Sequence, residues 1–543
     1  MQLIHLSRYA TFAVAVLLAV VLAGLCIAGL VGWGWPVLAA LLAALGVYDL
    51  VQRRHSVLRN YPIIGHLRFL FEFVRPELRQ YFFESDTDAI PFSRQQRAIV
   101  YQRAKQQIDA RPFGTHFDVY ESGYEWLNHS ALPARQESHD FRVPVGAIAQ
   151  VGDSASSCTQ PYSASVFNIS AMSFGSLSAN AIRALNRGAM LGHFAHDTGE
   201  GSISRYHREF GGDLIWEIGS GYFGCRDAEG RFDEERFVAN ATLEQVRMIE
   251  IKLSQGAKPG HGGMLPGAKV TEEIAAARGI AAWSDCISPA SHSAFSTPIE
   301  LLQFVDRLRR LSGGKPVGFK FALGHPWEWF GIAKAMVATG ITPDFIVVDG
   351  KEGGTGAAPA EFIDRIGTPM RDALVLVHNT LVGLNLRGRV RLGAAGKIVT
   401  AFDIARAMAL GADWCNSGRG FMFAVGCIQA QTCHTGKCPT GVATQDLQRQ
   451  KALDPDDKSV RVLNFHRNTL KSLAELVAAA GLSHPSQLEP MHIVQRRSRG
   501  EVHSYATVYP RLQPGELLDS EAEPAVYRVF WSMARADSFR PYA

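Results

Sequence analysis

The chain has 543 residues, 55 Lys or Arg against 51 Asp or Glu for a formal charge of +4, and 47% hydrophobic residues. That composition excludes a disordered, collagen-like or disulfide-stapled chain, and so small a charge does not imply nucleic-acid binding, so that any basic patch must be local. Length leaves the domain count open, because single α/β barrels exceed the usual ~150 residues per domain.

From Tyr9 to Tyr48 forty residues pass without one Asp, Glu, Lys or Arg. The turn-like Gly32-Trp33-Gly34-Trp35-Pro36 divides them into Thr11–Val31, long enough to cross a ~30 Å hydrocarbon core, and a shorter Pro36–Leu50 with Trp33 and Trp35 at the interface. This predicts a transmembrane helical hairpin over residues 1–55. A cleaved signal peptide is the competing reading, against which stand the length of the first run and the second run behind it. Arg8 precedes the hairpin and Arg53, Arg54, His55 and Arg59 follow it. By the positive-inside rule both ends, and the remainder of the chain, face the cytoplasm at the cell (inner) membrane.

Residues 56–150 interleave Phe69, Phe71, Phe73, Tyr81, Phe82 and Phe83 with Arg75, Arg79, Arg94 and Arg97. They are expected to form a helical wrapper on a larger domain, a lipid or nucleic-acid surface being the alternative. From residue 151 to 446 short apolar runs end in glycine or polar residues and alternate with helix-like stretches. The runs include Val166–Ala171, Val317–Ala322, Phe345–Val348 and, less cleanly, Val390–Leu392 before Gly393-Ala394-Ala395-Gly396; the helices include Pro298–Leu311, Gly331–Thr339 and Ala401–Leu410. Apolar runs of this kind are parallel strands buried on both faces, so an α/β fold with a closed (β/α)8 TIM barrel is expected, its functional residues at the C-terminal strand ends. Residues 447–543 read as a helical extension, with Val462–Ala479 as a helix, and a tail.

Cys427, Cys433 and Cys438 fall within twelve residues, followed by Pro439. Three thiolates at C-x5-C-x4-C spacing in a loop at 426–439 suit an iron–sulfur cluster that lacks one iron corner, and they argue for a reducing compartment. A zinc site that adds His434 is the alternative, awkward because His434 directly follows Cys433.

The run from Cys427 to Asp446 resembles the cluster loop of the glutamate synthase family. Upstream, Ala171-Met172-Ser173-Phe174-Gly175, Thr198-Gly199-Glu200-Gly201, Gln255–Gly263 with Leu265-Pro266-Gly267, and Gly353–Ala357 match the family in order. The whole chain, with its hairpin, is similar to short, single-chain, membrane-anchored members described as FMN-binding glutamate synthase family proteins. The resemblance implies an FMN-binding synthase barrel and a [3Fe-4S] cluster on Cys427, Cys433 and Cys438. It implies flavin-ring contacts from Ala171, Met172, Ser173, Gln255 and Lys320, and phosphate contacts from the backbone of Gly353, Gly354, Thr355, Ser417, Gly418 and Arg419. For Lys320, an ion pair with a neighbouring strand's carboxylate stays open beside the flavin.

The reaction implied is reductive amination of 2-oxoglutarate to glutamate by hydride transfer from reduced FMN to 2-iminoglutarate. Lys258 is then a candidate carboxylate clamp, with a solvated lysine as the plain alternative. Glu200 is a candidate proton donor or ammonia-orienting acid, the former requiring a pKa raised by burial, with helix capping as the plain alternative. Ala395-Gly396-Lys397, in place of an Asp-Gly-Gly, and the loop Leu323–Trp329 depart from larger members and leave the acceptor open; Lys397 is a candidate replacement for backbone donors to the phosphate. No amidotransferase and no nicotinamide domain is expected. Ammonia would come free or from a partner, and electrons from a carrier protein such as ferredoxin. Two rival readings remain: a membrane-tethered flavoprotein oxidising an amino or hydroxy acid, and a non-catalytic cluster-bearing scaffold or sensor.

Overall fold

The computed structural model describes residues 7–52, 55–85, 91–146, 158–518 and 525–542, so Arg53, Arg54 and the expected boundary near 150 lie outside the described residues. The chain divides into two compact units, Met1–Asp88 and Ala89–Ala543.

In the first unit, α1 (Ala10–Ile27) and α2 (Gly34–Val51) pack against each other, and each is 18 residues long, about 27 Å at 1.5 Å per residue. They approach closely because Gly46 has no side chain: a Cβ there would lie 2.3 Å from the Phe12 ring. Most of their large apolar side chains face outward, among them Leu17, Val20, Val37 and Leu41. Asp49, buried near the end of α2, accepts hydrogen bonds from the Ile63 amide and from His66 Nε2, both at 2.9 Å. That carboxylate ties α2 to α3 (Gly65–Leu78), which continues into a π-helical turn at Arg79–Phe83. The aromatic stretch Phe69–Phe83 lies in this same unit as the hairpin.

The second unit is built on a closed barrel of eight parallel strands: β1 (Phe167–Ile169), β2 (His196–Asp197), β3 (Leu214–Ile218), β4 (Val246–Lys252), β5 (Val317–Phe321), β6 (Phe345–Asp349), β7 (Arg391–Ala395) and β8 (Trp414–Ser417). Each strand pairs with its sequence neighbours, and β8 closes on β1 through Cys415↔Phe167. β3, β5, β6 and β8 are buried along their whole length, as strands enclosed by helices must be.

Three boundaries differ from expectation. Gly393, Ala394 and Ala395 belong to β7 and not to a loop after it, because a Cβ at Gly393 would lie 2.8 Å from the Trp414 ring on β8. The helix expected from Gly331 begins at Pro326, since proline at a first helical position lacks only an amide that would be unbonded anyway. Likewise the long helix expected from Val462 starts at Pro455, capped by Asp454.

The segment before the barrel is less helical than expected. Among the described residues it holds one helix, α4 (Arg94–Ala104), with a Ser93/Gln96 capping box, and two short strands, Glu125–Leu127 against Ile493–Ser498 and Arg142–Val145 against Tyr162–Ser165. Buried Glu125 anchors it by ion pairs to Arg371 and Arg406 and by accepting from Tyr505 Oη at 2.6 Å.

Candidate active site

The motifs singled out in the sequence converge at the C-terminal end of the barrel strands. The loop after β1 carries Ala171, Met172 and Ser173 and lies against the loops that follow its two neighbours. A Cβ at Gly199 would meet the Ser173 amide at 2.7 Å, and one at Gly418 would lie 3.6 Å from Met172 Sδ. Gly199, at φ +65°, turns the chain so that Glu200 enters the mouth of the barrel. Its carboxylate sits between Gly219 and Gly263, where added Cβ atoms would lie 3.0 and 2.4 Å from it.

Glu200 Oε2 pairs at 3.1 Å with Lys252, the last residue of β4. Burial alone would raise the Glu200 pKa, but Lys252, then Lys258 and Arg278, outweigh it and hold it at about 2. With its pKa held that low, Glu200 stands as a carboxylate, which accepts and orients N–H groups. Lys258 is buried, and burial lowers its pKa, helped by Lys252 and opposed by Glu200. The mouth thus gathers Lys252, Lys258 and Arg278 around one carboxylate, a surplus of positive charge suited to an anionic ligand.

Gln255 bridges this group to the loop after β6. Its Oε1 accepts from Lys252 Nζ at 3.3 Å and its Nε2 donates to Gly354 O at 2.8 Å. Gly256 N donates to Asp349 Oδ2 at 2.8 Å, and a Cβ at Gly256 would lie 1.8 Å from Gly350 O, so only glycine fits.

Below the mouth, the Lys320 ammonium is paired with Glu217 and, at 3.2 Å, with Glu250. The carboxylate partner left open for this strand lysine is present. Burial would lower its pKa, but Glu217, Glu250, Asp197 and Asp349 together carry it well above the usual range. Burial in turn pushes Asp197, Glu250 and Asp349 upward, against the pull of Lys320.

On the side of β6 to β8, the Gly353 amide already donates to Gly350 O at 2.8 Å, and the Ser417 hydroxyl to Ile398 O at 2.5 Å. Gly354 and Arg419 are adjacent, a Cβ at Gly354 falling 2.8 Å from Arg419 Nε. Arg419 donates to Glu352 O at 2.7 Å and lies 4.6 Å above the Phe92 ring, with Lys397 Nζ 5.9 Å from the same ring. Lys397, half-buried at φ +49°, has no hydrogen bond or ion pair among the described residues, and its pKa is lowered by burial and by Arg419. Two neighbouring half-desolvated cations want an anion between them, which fits a phosphate group.

The cysteine loop follows directly. Burial pushes Cys427 up to about 12, with added pressure from Cys433 and Cys438, and burial and Cys438 push Cys433 up. Cys438 goes the other way: the amides of Ala443, Thr440 and Val442 and the Thr440 hydroxyl outweigh burial and favour its thiolate. Three sulfur donors on one partly buried loop, whose thiolates are costly to form together without a counter-charge, fit a metal cluster that would neutralise them. Among the described residues the donor spacing of a single ion, 4.8 Å or less, is met by Asp197, Glu217 and Glu250 and not by the cysteines, and His434 is exposed.

Sequence reasoning passed over Lys252 and Arg278. Lys252 had a signal in the charged residue that closes the apolar run of β4, where barrel chemistry sits. Arg278 had none, since it closes a surface-like helix, Glu272–Arg278, and reaches the site only in three dimensions.

A family model described as a conserved region in glutamate synthase matches residues 140–483. The glutamate synthase large subunit-like protein YerD of Bacillus subtilis is 38% identical over 496 residues, which cover 85% of this chain and 94% of that protein. The archaeal-type glutamate synthase (NADPH) of Thermotoga neapolitana is 37% identical over 314 residues, 58% of this chain and 59% of the relative, and the archaeal glutamate synthase (NADPH) of Methanocaldococcus jannaschii is 37% identical over 318. This chain therefore spans less than two thirds of the length of those two. A solved flavocytochrome b2 with pyruvate bound has a TM-score of 0.39 at 12% identity, covering 78% of this chain and 85% of that one, and carries no argument.

Proposed function

Since this chain belongs to the glutamate synthase family, we propose that it is an FMN and iron–sulfur oxidoreductase acting on CH–NH2 donors, which forms glutamate by reductive amination of 2-oxoglutarate. The observation that carries this reading is the cationic mouth, Lys252, Lys258 and Arg278 around Glu200. A dicarboxylate entering there meets positive charge already desolvated and held in place, so that binding needs little reorganisation.

FMN would be held by the Ala171-Met172-Ser173 loop and Gln255 at its ring and by Gly354, Thr355, Gly418, Arg419 and Lys397 at its phosphate; a [3Fe-4S] cluster would be held by Cys427, Cys433 and Cys438. Bound there, the flavin supplies the hydride donor and the cluster a one-electron relay. The protein's own part is electrostatic. Lys258 clamps a substrate carboxylate and, with its pKa lowered, is a better proton source at Nζ than Glu200. Glu200 accepts N–H hydrogen bonds and so orients ammonia or the imine nitrogen. Gln255 ties the clamp to the loop after β6 and keeps the two in register.

α1 and α2 would anchor the enzyme in the inner membrane. Electrons would arrive from a carrier protein of the ferredoxin type, and ammonia free or from a partner. The test is anaerobic turnover of the purified holoenzyme with reduced ferredoxin, 2-oxoglutarate and 15N-ammonium. Labelled glutamate is expected. Its absence together with amino acid-dependent quinone reduction would replace this reading with that of a membrane-tethered oxidase.

A further inference from the structure

We propose that Lys269 sets the reduction potential of the cluster on Cys427, Cys433 and Cys438, raising it by placing a fixed positive charge beside Cys433 and Cys438. The proposal rests on the cluster reading above and adds a residue outside the cysteine loop.

Lys269 closes the short turn Gly267–Lys269, eleven residues beyond Lys258 on the loop that carries it. The turn is held from the barrel side. Gly267 N donates to Asp285 Oδ1 at 2.6 Å, Lys269 N to Pro266 O at 2.8 Å, and Trp283 N to Val270 O at 2.9 Å. From this base the side chain reaches across to the cysteine loop, where Nζ donates to Cys433 O at 2.6 Å. Its Cε lies 3.5 Å from where a Cβ would stand at Gly436, so the ammonium is seated between Cys433 and the turn that leads to Cys438.

The groups that act on it are few. Among the described residues no carboxylate pairs with Lys269, and its Nζ donates to Cys433 O beside the turn that leads to Cys438. Cys427, on the other side, is near Arg97 and Arg419. The Lys269 charge is therefore not spent in an ion pair elsewhere, and it is only partly screened because the residue is half-buried.

Reduction of the cluster adds one electron from the reduced carrier, which is oxidised by one; no bond forms or breaks and no proton moves. A neighbouring cation stabilises the more negative, reduced state and so raises the potential, as second-shell groups do at other iron–sulfur centres. Because Lys269 and Lys258 share one loop, the electron relay and the carboxylate clamp are also mechanically joined.

The test is an EPR-monitored redox titration of the full-length holoenzyme in detergent, with iron content measured on each sample. In Lys269→Gln, which keeps a donor for Cys433 O but loses the charge, the midpoint should shift to more negative potential; in Lys269→Arg it should stay near the wild-type value. Equal midpoints for the wild type and Lys269→Gln, both with full iron, would overturn the proposal and leave the cluster reading standing. Absence of iron and sulfide from the wild type would instead defeat the cluster reading itself. Should Lys269→Gln lose its iron, Lys269→Met is titrated in its place. Loss from both while Lys269→Arg keeps iron would make Lys269 a structural strut and overturn the tuning role.

Discussion

At the mouth of the barrel Lys252, Lys258 and Arg278 surround the single carboxylate of Glu200, whereas below it Asp197, Glu217, Glu250 and Asp349 surround the single ammonium of Lys320. Glu250 and Lys252 stand two residues apart on β4, so one strand contributes to both layers, and the balance of charge reverses across that step. The upper layer has cations to spare and holds its carboxylate ionised. The lower has carboxylates to spare, and there burial raises Asp197, Glu250 and Asp349 in spite of Lys320. Burial pushes carboxylates upward in both layers, and the local supply of cations decides whether that push prevails.

The largest effect is expected from removing the charge on which the lower layer depends. Lys320→Met leaves buried carboxylates without a counter-charge and should cost about 3–5 kcal/mol of stability, measured by urea unfolding of the full chain. A loss well under 1 kcal/mol would mean that the carboxylates neutralise one another by sharing protons. In the upper layer, Lys258→Met should lower kcat/KM for 2-oxoglutarate by about 10- to 100-fold, the worth of one charged hydrogen bond, mostly through KM. Unchanged KM would remove Lys258 from the clamp.

Gly263→Ala is a milder perturbation of the same group, since its methyl would fall 2.4 Å from Glu200 Oε1. Displacing the carboxylate from Lys252 should reduce kcat by roughly 10-fold, the effect of a modest misplacement at a reacting centre, while leaving the unfolding midpoint almost unchanged. The smallest effect is one of pH. The Glu200 pKa is depressed from 4.5 to about 2 in the folded state, so its contribution to stability is fully present above pH 4.5 and is lost as the pH falls through about 2. The stability difference between the wild type and Glu200→Gln should therefore be constant near neutrality and shrink on acidification. A difference that grows on acidification would show the folded-state pKa to be raised instead.

The barrel was legible because strands enclosed on both faces must be largely apolar, as Phe345–Val348 is and as Val317–Ala322 is apart from Lys320. Its motifs were legible because glycines that admit close backbone contact, such as Gly256 against Gly350, tolerate no substitute. What was not legible were roles that depend on neighbours distant in the chain. Glu200 looks like an acid until Lys252, 52 positions away, is beside it. The tie from Asp49 on α2 to Ile63 and His66, at the start of the aromatic stretch, is likewise invisible in the sequence.

By itself, then, the order of residues determined the apolar hairpin, the βα alternation, the position of the loops at the strand ends and the clustering of Cys427, Cys433 and Cys438, since each of these follows from local periodicity, backbone freedom or spacing. The tertiary structure alone decided which charges face one another: Glu200 with Lys252, Lys320 with Glu217 and Glu250, and Lys269 with Cys433. Electrostatic energy depends on distance and desolvation, and neither is set until the barrel has closed.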